Sequence, residues 1–213
     1  QFDTARRFLD SLQKPFLVVP GNHDIPMFDL RKRWLSPFES FVRYFGPVET
    51  TLETPHFYLI GVNSITRLNH TQGSISPLQI WQTGERLKHV PAGKIPLIAV
   101  HQPFAVIDPE DADDIASLMP QAVKHWASHG CRGFLHGHFH SPVVFDLSKK
   151  SHLSTSVLDI QAGTGVSRRL RRGYPNSFNV ITPDLSVIRW DFSVEKLAFE
   201  RVMQLWPLEG RFH

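Results

Sequence analysis

The sequence predicts a layered α/β domain with mixed sheets. Three observations carry this expectation. Short apolar runs of the buried-strand kind, FLVV (Phe16–Val19), IPLIAV (Ile95–Val100) and CRGFLH (Cys131–His136), are separated by stretches with helical periodicity. Strands that alternate with helices lead to parallel pairing. The last part of the chain then runs through strands alone, which adds antiparallel pairing.

The elements follow in order. Phe2, Ala5, Phe8, Leu9 and Leu12 recur at helical spacing, so a helix is expected over 3–13, ended by Pro15. The strand Phe16–Val19 follows and stops at the turn signal Pro20-Gly21. Residues 30–45 are expected to be helical after Ser36-Pro37, with Phe38, Phe41, Val42 and Phe45 on one face and Gly46-Pro47 as the stop. His56–Asn63 reads as a strand. Pro77–Val90 reads as a helix, with Ser76 as N-cap and proline at its first position. After the strand Ile95–Val100 comes an acidic stretch, 108–117, expected as a surface loop or short helix. A helix over Pro120–His129, closed by Gly130, leads into the strand Cys131–His136. Val157–Gly163, Ser177–Pro183 and Ser186–Ser193 are strands, the last two joined as a hairpin through Pro183-Asp184.

Composition sets bounds. The chain has 213 residues, 41% hydrophobic and 20% charged, which suits a single folded domain over 1–213. A lone cysteine, Cys131, rules out an internal disulfide and points to a reducing, cytoplasmic setting. No apolar run approaches the roughly 18 residues that a membrane span needs, so no membrane role is expected. A formal charge of +3 gives little support to nucleic acid as a partner.

The chemistry-bearing residues stand at strand ends. LVVPGNHDIP (Leu17–Pro26), IAVHQPF (Ile98–Phe104) and FLHGHFH (Phe134–His140) are apolar runs that stop abruptly at histidine. Ligands gather beyond the carboxyl ends of strands in open α/β sheets. Asn22, His101, His138 and His140 all lie there. Imidazoles and an amide oxygen suit manganese, iron, zinc, nickel or cobalt. His138 and His140 are two apart in one glycine-led turn, so a single loop can reach two neighbouring metals.

GNHD (Gly21–Asp24), the strand-terminal His101 and GHFH (Gly137–His140), in that order, resemble the blocks of the calcineurin-like metallophosphoesterase superfamily. GTGVSRR (Gly163–Arg169) and PNSFNVI (Pro175–Ile181) are similar to its bacterial cyclic-nucleotide and glycerophosphodiester phosphodiesterases. The resemblance implies a four-layer α/β/β/α sandwich with two mixed sheets. It implies two divalent transition metals, manganese, iron or zinc, whose shared hydroxide attacks the phosphorus of a small phosphodiester. On this resemblance Asn22, His101 and His138 ligate one metal and His140 the other. His23 faces substrate, to stabilise phosphoryl oxygens or protonate the leaving oxygen. Asp24 orients the loop or the His23 ring, or simply closes an Asx-turn.

One departure matters. The superfamily also carries an Asp-x-His block and a Gly-Asp block before GNHD, and only 21 residues precede Asn22 here. The expectation is therefore that N-terminal strands and the bridging carboxylate are missing from this chain. One metal or none would then bind, activity would be weak or nil, and an unpaired sheet edge would invite a homodimer or strand-swapped oligomer.

Other features are weaker. Arg168 and Arg169, in SRRLRRG (Ser167–Gly173), are candidate substrate contacts or a solvated face. His136 supports the ligands or packs a strand end. Gly163 and Gly165 permit close backbone approach near the site, or a turn. His125 and His129 sit on a helix surface. The competing functions are a nuclease of the same superfamily, which needs a longer basic groove, and a non-catalytic scaffold, which would need none of the histidines.

Overall fold

The computed structural model describes residues 1–68, 71–106, 112–113, 115–148, 153–167, 170 and 173–207. Helices α1 (Phe2–Ser11), α2 (Leu30–Leu35) and α3 (Glu39–Phe45) precede strands β1 (Thr51–Glu53) and β2 (Phe57–Gly61). Then come α4 (Pro77–Lys88), β3 (Ile95–Ala99), α5 (Met119–Ser128), β4 (Gly133–His136), β5 (Val143–Asp146) and β6 (Leu158–Gln161). The chain continues through β7 (Ser177–Ile181), β8 (Val187–Ser193) and β9 (Ala198–Trp206).

The protein is α/β, with two sheets. The larger has the order β1-β2-β3-β4-β6-β5. Its middle strands β2, β3, β4 and β6 are parallel, and β1 and β5 run antiparallel at the edges. The helices α4 and α5 make the crossovers that parallel neighbours require. The second sheet, expected as mixed, is antiparallel throughout in the order β7-β8-β9, because its strands follow one another through tight connections.

Two apolar layers hold this together. One core lies between the large sheet and α4 and α5, with Ile60, Ile98, Val100, Phe104, Met119, Trp126 and Phe134. The other lies between the sheets, where Leu158 and Ile160 meet Val187 and Leu205. The α4 start is fixed by a capping box: the Ser76 hydroxyl accepts from the Gln79 N–H at 3.2 Å, and Gln79 Oε1 accepts from the Ser76 N–H at 2.9 Å. Helices α1 and α3 form a separate pair, with Phe2 stacked on Tyr44 at 5.9 Å.

One expected element is corrected, and four unexpected ones appear. Phe16–Val19 is not in a strand; its side chains pack beside β2, where a Cβ on Gly61 would lie 3.1 Å from Leu17 Cδ2 and 3.3 Å from Val19 Cγ1. A strand exists only through its ladder, and this stretch has no partner among the described residues. The helix expected after Ser36-Pro37 is α3, and a short helix before that break, α2, was not expected. Strands β1, β5 and β9 had no clear sequence signal; all are edge strands with little full burial.

The α4–α5 contact carries a pH dependence. A Cβ on Gly84 would clash with His125 Nε2 and lie 2.8 Å from its Cδ2, so the ring packs against the α4 backbone. That nitrogen is buried without a hydrogen-bond partner among the described residues. Burial, then the charges of His129 and Lys88, lower the His125 pKa, with Glu85 opposing. The fold thus favours neutral His125. That stability is present above the unfolded histidine value of about 6.5 and is lost as pH falls below it. Melting temperature is expected to drop as pH falls from neutral to about 5, and the drop is expected to be smaller in His125→Leu. Parallel melting curves for the two proteins would disprove the assignment.

Candidate functional site

Three segments meet at the carboxyl edge of the parallel strands. The turn at Gly21–Asp24 follows the 16–20 segment, His101 stands two residues past β3, and His138 two residues past β4. His101 Nε2 lies 3.0 Å from Asn22 Oδ1 and 3.2 Å from His138 Nδ1. The two imidazoles meet edge to face, with centroids 5.0 Å apart. Gly21 permits the approach: a Cβ there would lie 3.1 Å from His101 Cε1. Asn22 is only 8% exposed.

The 137–140 turn is unusual. His138 has φ 70° and His140 has φ 61°, so two non-glycine residues hold left-handed backbone on either side of Phe139. Such residues cost about 1–3 kcal/mol each and cluster at functional sites. His140 Nδ1 faces the Thr164 hydroxyl at 2.5 Å. Thr164 sits in a loop bound to β7, where Ser177 N–H donates to the Thr164 carbonyl at 2.8 Å. A Cβ on Gly163 would crowd the Ser177 hydroxyl, whereas Gly165 is looser, its nearest contact being 3.9 Å.

Asp24 closes its own turn. Its carboxylate accepts from the Gly21 N–H at 2.7 Å, and its N–H donates to the Gly21 carbonyl at 3.0 Å. Burial raises the Asp24 carboxyl above its ordinary value, while the Gly21 bond and His23 pull it down. His23 is exposed and, with Asp24, lines a cavity of ≈ 260 Å³ walled by Phe2, Ala5, Leu9 and Phe41. Arg168 and Arg169 lie outside the described residues.

Electrostatics keeps the site's imidazole neutral. Burial first, then His138, His136, His23 and His140, push His101 down to about 3. A neutral ring keeps the lone pair that a metal needs. The donor spacings suit a shared cation. Adjacent ligands with bonds of about 2.0–2.1 Å lie roughly 3.0–3.4 Å apart. A single N–H on His101 Nε2 cannot be aimed at both of its neighbours, and a cation shared by the three atoms relieves that crowding. The trio carries no carboxylate. Among the described residues, no three His, Cys, Asp or Glu side chains gather in a metal-holding group.

Three contributors had no sequence signal. Thr164 holds His140. Asp159 lies 2.7 Å from His136 Nε2, with both side chains fully buried. Gln102, beside His101, is fully buried and bonds the Ser64 hydroxyl. All three act across the chain, so no local pattern marks them.

The fold is that of an α/β protein with an imidazole–amide cluster at the edge of its parallel strands. A model of the calcineurin-like phosphoesterase family matches residues 1–142, and the chain belongs to that family. Among solved structures, a chain described as "Putative 5'-Nucleotidase from Staphylococcus aureus in complex with alpha-ketoglutarate" is similar at 13% identity and a TM-score of 0.34. The match covers 73% of this chain and 28% of that one, so this chain spans under a third of that protein's length. No curated protein matches.

Proposed function

We propose that this chain is a metal-dependent phosphoesterase acting on a small phosphodiester. Asn22, His101 and His138 would hold one divalent transition metal, with His140 directed to a second. The observation that supports this most is the convergence of three donor atoms at 3.0 and 3.2 Å beside a strained histidine turn. A bound cation polarises a phosphoryl oxygen and acidifies a coordinated water. The chain's own groups do the rest. His23, exposed and next to Asn22, is placed to contact phosphoryl oxygens or give a proton to the leaving oxygen. Asp24 holds the turn that presents both. A ligand role for His140 falls to Nε2, since Nδ1 faces Thr164. Three neutral donors hold a dication less firmly than a set with an anion, so weak binding of one metal is the expected state. The lone buried Cys131 favours the cytoplasm.

The rival reading is a non-catalytic scaffold. The lack of a three-residue His, Cys, Asp or Glu group among the described residues favours it. One experiment separates the two. Hydrolysis of bis-p-nitrophenyl phosphate is measured with Mn²⁺, with a chelator, and with His138→Ala, beside a calorimetric Mn²⁺ titration. Slow, chelator-sensitive hydrolysis is expected, with a loss of at least about 100-fold in the variant, or ~2.7 kcal/mol. No hydrolysis and no Mn²⁺ binding would favour the scaffold. Hydrolysis that His138→Ala leaves intact would sink the ligand assignment.

A further inference from the structure

The chain leaves the Gly21–Asp24 turn and crosses an exposed apolar surface. Ile25, 2% exposed, anchors it, and then Phe28 is 98%, Leu30 66%, Trp34 53% and Leu35 74% exposed. Leu68, 73% exposed, adds to the patch from a second loop. The two loops are tied together. Arg67 lies over the Trp34 ring at 5.8 Å and donates to the Trp34 carbonyl at 2.7 Å, and Arg33 Nε donates to the Arg67 carbonyl at 2.8 Å.

Cations accompany the apolar residues. Arg31, Lys32, Arg33 and Arg67 face a single acid, Asp29, within residues 25–35 and 67–68. The Asp29 carboxylate accepts from the Lys32 N–H at 2.9 Å and caps α2. We propose that this surface, residues 27–35 with Arg67 and Leu68, docks the protein on an anionic lipid membrane.

The chemistry selects that partner. Phe and Leu enter the acyl boundary, Trp prefers the headgroup level, and Lys and Arg reach lipid phosphates along their apolar stems. A nucleic acid would engage the cations and leave Phe28 and Leu35 in water. A second copy docked across a twofold axis would set these cations against their own mates. Adsorption needs no membrane span, so the expectation of no membrane role, drawn from the lack of a long apolar run, does not bear on it. Docking would bring the Asn22–Asp24 turn to the lipid surface, and the proposal assumes nothing about activity.

The test is co-sedimentation of the full chain with vesicles of phosphatidylcholine mixed with phosphatidylserine, beside pure phosphatidylcholine. Binding to the mixed vesicles is expected to be at least about tenfold tighter. Arg31→Glu with Lys32→Glu is expected to weaken it at least about tenfold, and added salt to release the native chain. Phe28→Ser with Leu35→Ser is expected to reduce binding even at low salt. Circular dichroism checks that each variant folds, and the salt titration of the native chain stands if one does not. Absent binding, equal binding to neutral vesicles, or salt-insensitive binding would overturn the proposal. So would light scattering that shows a dimer abolished by the serine variant.

Discussion

Replacing His136 by leucine is expected to destabilise the protein by about 3–5 kcal/mol. His136 ends β4 and Asp159 lies on the paired strand β6, with both side chains fully buried. His136 Nε2 stands 2.7 Å from Asp159 Oδ1. Neither carboxylate oxygen has a well-aligned hydrogen bond among the described residues. The contact is therefore close but poorly directed, and its attraction is mainly electrostatic. Two bare lone pairs would repel at that distance, so the contact needs a proton on one of the two side chains. Leucine removes that partner and leaves the Asp159 carboxyl group buried in the sheet core without it. The double variant His136→Leu/Asp159→Leu is expected to recover most of the loss, because it removes both polar partners. Urea denaturation of the native chain and the two variants gives the comparison. A loss under about 1 kcal/mol, that of an ordinary substitution, would show that Asp159 does not depend on His136.

Gly73→Ala is expected to cost about 2–5 kcal/mol. Gly73 has φ +71°, where a side chain costs about 1–2 kcal/mol. A Cβ there would also lie 2.6 Å from Gln102 Cδ and closer still to the Ser64 carbonyl oxygen. Forcing atoms into packed structure costs about 1–3 kcal/mol more. Ser64 and Gln102 cannot yield freely. Gln102 is fully buried, bonds the Ser64 hydroxyl, and donates to the Thr71 carbonyl at 3.3 Å. Because Gln102 follows His101, the strain would be transmitted to the imidazole cluster. Gly93→Ala is the control: φ is +81° but nothing lies within 4 Å of its Cβ, so it isolates the cost of positive φ. Equal losses in the two variants, read from denaturant midpoints, would refute the packing argument.

Legibility in the sequence differed by element. The helices α1, α4 and α5 were readable because periodicity and caps act within a few residues. The strands β3, β4 and β6 were readable as buried apolar runs. Phe16–Val19 has the same composition and forms no strand, since pairing is decided by a neighbour and not by the residues themselves. Edge strands such as β9 keep mixed polarity, so they leave no periodic mark.

For the site, the amino-acid order alone determined that Asn22, His101, His138 and His140 stand just past apolar runs, and it carried the family resemblance. Only the tertiary structure decided which of them meet. It joins Asn22, His101 and His138 through two contacts and turns His140 toward Thr164. It brings the Asp24 carboxylate onto the Gly21 N–H. It supplies Asp159 and Gln102, which no motif announces. The reason is one of range. Ligand types and periodicities are written locally, whereas contacts between residues 23 to 79 positions apart exist only once the sheet has aligned its strand ends.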